Sequence, residues 1–104
     1  MTFNPDAGGQ ITLAQGAELT AKYRRLNPDG IKARYFGKDC FTTLLNQTEK
    51  TAVGIRIYFG VNAAGDQELV MVGVDSNGDD ILGIVMDISM ACPTTCSTPN
   101  ALNS

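Results

Sequence analysis

Apolar and polar positions alternate with a period of two from Val53 to Val61. Val53, Ile55, Ile57, Phe59 and Val61 stand against Gly54, Arg56, Tyr58 and Gly60, which predicts a strand. A turn around Ala64-Gly65 leads to a second strand, Glu68 to Val74, and a third runs from about Asp80 to Ile88. Between them Asn77-Gly78 is a strong hairpin signal, because a type I′ turn needs positive φ at both central residues. Read as two-residue loops, both turns predict one register. Val74 then faces Ile81, Val72 faces Gly83 and Val70 faces Val85, while Ile55, Ile57 and Phe59 face Val74, Val72 and Val70. One side of the sheet thus carries Ile55, Ile57, Phe59, Val70, Val72, Val74, Ile81 and Val85, the expected core face. The other carries Tyr58, Leu69, Met71, Leu82, Ile84, Met86 and Ile88. An antiparallel sheet with one wet face should be polar there, and this one is not.

The period changes to that of a helix earlier in the chain. Thr12 followed by Gln15 has the form of a capping box, predicting a helix from Leu13 to about Leu26 with Leu19, Tyr23 and Leu26 on one stripe. Asn27-Pro28-Asp29-Gly30 stops it. Residues 31–36 read as a short extended piece broken by Gly37, and Asp39 is the expected cap of a second helix reaching about Gln47. Residues 1–10 read as a loose lead-in, and 89–104 as a Cys/Pro tail without regular structure. The fold class is α+β in a single domain, 1–104. Two short helices pack on a three-stranded antiparallel meander, with residues 31–36 the option for a fourth strand.

Composition fits an ordinary folded domain, 43% hydrophobic and 18% charged. The net charge of −3 argues against bulk attraction to nucleic acid or anionic lipid. The average hides an asymmetry. Lys22, Arg24, Arg25, Lys32, Arg34 and Lys38 crowd one segment, whereas after Arg56 only acidic residues occur: Asp66, Glu68, Asp75, Asp79, Asp80 and Asp87. Tyr23, Tyr35 and Phe36 lie among those cations, but a solvated helix face explains them better than nucleic-acid stacking. The opening residues lack a secretory pattern and no apolar run reaches the ~20 residues of a membrane span. The expected setting is cytoplasmic, with no membrane and no nucleic acid as partner.

Candidate chemistry is thin. Histidine is absent, which removes the commonest general base and metal ligand together. Cys92-Pro93-Thr94-Thr95-Cys96 is a C-x3-C pair, not the C-x2-C of thioredoxin-like sites, and with Cys40 it leaves a zinc set of four incomplete. Asp75-Ser76-Asn77-Gly78-Asp79 resembles the start of a calcium loop, but the sixth position is Asp80 and the twelfth Met86, so a hairpin turn is the better reading. No nucleotide-binding loop or nucleophile elbow occurs. An enzyme is not expected, and no catalytic residue, metal site or cofactor is assigned.

Gly54-Ile55-Arg56-Ile57-Tyr58-Phe59-Gly60, Val72-Gly73-Val74-Asp75-Ser76-Asn77-Gly78 and the closing Cys92-Pro93-x-x-Cys96-Ser97-x-Pro99-Asn100 resemble a family of small Bacteroidetes-type bacterial proteins with no assigned activity. The resemblance runs from about residue 12 to the end. It implies that the Cys-Pro tail is a family feature, and it transfers no functional residue.

Two functions are therefore expected to compete. In the first, the chain is a small soluble interaction or self-assembly module that meets another protein, or itself, through Tyr58, Leu69, Met71, Leu82, Ile84 and Met86. In the alternative it is a thiol protein using Cys92 and Cys96 as a redox or metal-binding pair, with Cys40 nearby. Which holds depends on whether the tail, the N-terminal segment or a helix covers the second sheet face.

Overall fold

The computed structural model describes residues 3–104. In chain order it contains α1 (Leu13–Leu26), β1 (Ala33–Tyr35), α2 (Lys38–Leu45), β2 (Gly54–Val61), β3 (Gln67–Val74), β4 (Asp80–Met86) and β5 (Met90–Cys92). The class is α+β, with β2-β3-β4 as an antiparallel meander. β1 does not join that meander. It pairs antiparallel with β5, Ala33 opposite Cys92 and Tyr35 opposite Met90, in a separate two-stranded sheet. The tail is thus partly regular. Among the described residues no helix is long and apolar enough to cross a membrane.

Both hairpin loops are one residue longer than the two-residue reading. In the second, the Asp75 N–H donates to the Asp79 carbonyl and the Gly78 N–H to the Asp75 carbonyl, with Gly78 at φ +87°. In the first, Asn62 donates to Asp66, Gly65 donates to Asn62, and Gly65 lies at φ +88°. These are three-residue loops, each ending on a glycine in the left-handed region. The side chain before each loop fixes it. Asn62 Oδ1 accepts from the amides of Ala64 and Asp66, and an Asp75 carboxylate oxygen accepts from those of Asn77 and Asp79.

That extra residue corrects the expected faces. Ile55 lies opposite Gly73, Ile57 opposite Met71 and Phe59 opposite Leu69, so the Ile-Ile-Phe row shares a side with Met71 and not with the valines. Tyr58 faces Val70 and Arg56 faces Val72 on the other side. A one-residue slip exchanges every side chain of a strand between faces. In β4, Gly73 faces Ile81 but Val72 faces Val85, so Leu82, Gly83 and Ile84 bulge out of the ladder. Beyond the bulge Met86 lies opposite Met71 and Val85 opposite Val72, as like-faced neighbours.

The core sits where α2 crosses the meander. Leu44 is fully buried, and Met71, Val72, Val74, Ile81 and Cys92 are the other buried apolar side chains. Gly73 lies beneath the end of α2, where a β-carbon would sit 2.9 Å from the Leu44 carbonyl oxygen and 2.9 Å from Gln47 Nε2. Gly37, and not Asp39, occupies the cap position of α2, and Asp39 sits in its first turn, where the helix dipole favours an acid.

α1 has the predicted capping box, with Thr12 and Gln15 bonded reciprocally. Its apolar stripe is not core, however, since Leu19 and Leu26 are exposed and no residue of α1 is buried. The helix is held by polar ties instead. The Tyr23 hydroxyl donates to Gln67, and Arg24 donates to the carbonyls of Leu102 and Ser104. The lead-in is docked at its described start, where the Phe3 N–H donates to the Ser76 carbonyl at 2.7 Å. Its first two positions lie outside the described residues.

Candidate functional site

From Met71 to Val74 both sides of the central strand β3 are closed, so the most open apolar surface lies on its neighbours. α2 covers the Met71 side. On the other side the Tyr58 hydroxyl and the Arg56 guanidinium both reach the Asp80 carboxylate, stretching from β2 to β4 above the row of Val72 and Val74. Arg56 also donates to the Gly78 carbonyl and lies 5.6 Å from the centroid of the Phe3 ring. The Tyr58 hydroxyl first, and Arg56 after it, holds the Asp80 carboxyl below its ordinary range, and the same bond raises Tyr58 above its own. Backbone amides of Asp79 and Asn77, with Lys50 beyond them, lower Asp75. These groups lock the hairpin tips.

On β2 the exposed row is Ile57, Phe59 and Val61, with Phe59 80% and Val61 74% exposed. β2 is also an edge strand. Among the described residues, no backbone hydrogen bond outside the β2–β3 ladder involves residues 54–61. Antiparallel edges present unpaired N–H and C=O groups, which are templates for another strand. Past β4, Ile88 is 97% exposed and stands at φ +56°, a conformation a β-branched residue rarely adopts.

The extent of open surface is unusual for the size of the chain. A compact monomer of 11.1 kDa is expected to expose about 5,700 Å², and this one exposes 7502 Å². The surplus, roughly 1,800 Å², exceeds the ~800 Å² that each partner of a standard interface contributes.

The residues expected to form one interface are divided among three places. Leu69, Met71 and Met86 do lie on one side, but Met71 is 1% exposed and belongs to the core. Tyr58 is on the opposite side, bound to Asp80. Leu82 is exposed and Ile84 half-buried, both within the β4 bulge. Ile57 and Phe59, expected in the core, are open positions, as is Val61. A signal for this was present: an Asx residue at the first position of a turn and glycine at the fourth favour the longer loop.

The cysteines separate as well. Cys92 and Cys96 form a disulfide with Cα atoms 4.7 Å apart, while Cys40 is free on α2 with its thiol raised by burial. The disulfide lines a groove of about 750 Å³ together with Tyr35, Met90 and Leu102. Cys40 is not part of that lining. Among the described residues, no group of three or more cysteine or acidic side chains is placed to hold a metal. No family model matches the chain, and no curated protein or solved structure shows significant similarity to it.

Proposed function

We propose that this chain is a small protein–protein interaction module that binds an extended strand along the outer edge of β2. The observation that carries this reading is an uninterrupted eight-residue edge strand whose Phe59 is 80% exposed. Strand addition draws affinity from main-chain hydrogen bonds and specificity from alternate side chains. Ile57, Phe59 and Val61 supply the alternate apolar row. Phe59 and Val61, 80% and 74% exposed along that strand, favour the same reading, since contiguous exposed apolar patches mark interaction sites.

The test is solution mass by light scattering after size exclusion, over a concentration series with and without reductant. Association above 11.1 kDa that persists in reductant, and that Phe59→Asp abolishes while leaving the far-UV spectrum unchanged, is the expected result. Association indifferent to Phe59→Asp counts against it.

A second reading rests on the Cys92–Cys96 disulfide beside the groove, as a pair that cycles between dithiol and disulfide. Under it, association or activity follows reductant and Cys92→Ser removes the response. The compartment matters to this reading. A reducing compartment would keep the pair open, and an oxidising one would keep it closed.

A further inference from the structure

We propose that the strand added to β2 is β2 of a second copy, paired antiparallel about a two-fold axis through Tyr58, so that two meanders make one six-stranded sheet. This rests on the interaction reading and names its partner.

The edge itself comes first. β2 contains no lysine, no proline and no bulge, the usual devices that keep edges from meeting. Its single charge, Arg56, is already paired with Asp80 of its own chain. The opposite edge of the meander is interrupted at Leu82–Ile84 and offers no straight run of backbone groups.

Symmetry then restricts the register. A two-fold axis normal to the sheet keeps like faces together and makes the interface self-complementary. With the axis at Tyr58, Ile57 lies opposite Phe59 of the second copy, Ile55 opposite Val61, and Arg56 opposite Gly60. The apolar row becomes continuous across the junction. The two Tyr58 rings meet at the axis, and Gly60 leaves room beside an Arg56 already held by Asp80. An axis at Arg56 would oppose two like charges, which destabilises a cross-strand pair. An axis at Ile57 would oppose Arg56 and Tyr58 twice, crowding four large side chains already bound to Asp80 where the axis at Tyr58 brings together two.

The experiment uses the full chain with Cys40→Ser, leaving the Cys92–Cys96 bridge in place, and adds Tyr58→Cys. Directly opposed residues of an antiparallel pair have Cα atoms about 4.5–5.5 Å apart, within disulfide reach. Mild oxidation should give a chain of doubled mass, mapped by mass spectrometry to a bond between the two introduced cysteines. The yield should be at least ~10-fold that of Val85→Cys, on the outer strand β4. Because Tyr58→Cys also removes the bond to Asp80, a second measurement keeps Tyr58. Chains with Ile57→Cys are mixed with chains with Phe59→Cys, and cross-links between unlike variants should dominate. Equal yield at Val85→Cys, or no cross-link in either experiment, overturns the pairing. A soluble Thr-Val repeat octapeptide separates the two levels of the argument. If the chain stays monomeric but the peptide protects β2 amides from hydrogen exchange, self-pairing fails and strand binding stands. If the peptide protects nothing, both fail.

Discussion

The ring of Phe3 packs against Gly78, so close that a β-carbon on that glycine would sit 2.5 Å from a ring carbon. Gly78 is also in the left-handed region, at φ +87°. Gly78→Ala should therefore destabilise the fold twice, through backbone strain of about 1–2 kcal/mol and through displacement of the Phe3 arm. A double-mutant cycle with Phe3→Ala separates the terms, because the variants should be less than additive when they share that contact. Strict additivity would mean that the arm is not seated there.

Gly73 supports α2 in the same way from below. Gly73→Ala places a methyl 2.9 Å from a helix carbonyl that cannot rotate away, so α2 must lift, at a cost of about 1–3 kcal/mol. Gly60→Ala is the control, since its nearest neighbour would be 3.9 Å away. Chemical denaturation of the two variants should rank them clearly, and equal stability would refute the packing of α2 on β3.

The hairpin tips make stability depend on pH at both ends. Asp80 and Asp75 are lowered, so their contribution is complete above the unfolded value near 3.9 and is lost as pH falls from there through the folded values. Tyr58 is raised, so its contribution is present below its unfolded value near 10 and lost as pH rises through the folded one. Thermal midpoints should show a plateau between these limits. Asp80→Asn should lower the plateau and flatten both slopes, and an unchanged alkaline slope would detach Tyr58 from it.

Ile88 can be relieved without loss of packing, because it is 97% exposed at φ +56°. Ile88→Asn should stabilise the chain by about 1 kcal/mol, asparagine being far more tolerant of that conformation. Differential scanning calorimetry would show it as a rise of roughly 4–8 °C. An unchanged midpoint would mean that Ile88 holds no strain.

Element by element, local chemistry was legible and loop length was not. The reciprocal Thr12–Gln15 cap and the alternation of β2 are contained within a few residues, so α1 and β2 begin and end close to where they are expected. Asn77-Gly78 misleads when weighed without Asp75, whose carboxylate recruits the Asn77 and Asp79 amides and lengthens the turn. The β4 bulge leaves only a weak trace, the lone Gly83, since Leu82-Gly83-Ile84 fits alternation in either register. Met90–Cys92 is too short for a period, and its partner lies far away in the chain at Ala33–Tyr35. The candidate site inherits these errors. Tyr58, expected on a bare apolar face, instead caps the valines. Ile57 and Phe59, which the two-residue register turns inward, face solvent.

The two loops have a consequence for how such a surface changes. Asn62-Ala63-Ala64-Gly65-Asp66 and Asp75-Ser76-Asn77-Gly78-Asp79 are built to one pattern, and neither loop contains a residue of the exposed row it positions. Deleting a single residue such as Ala63 would roll β2 over, turning Arg56 and Tyr58 beneath α2 and Phe59 toward the valines. Which side chains β2 presents to solvent is decided by counting, in a loop that holds none of them. A different exposed surface lies one deletion away, with every strand residue left as it was.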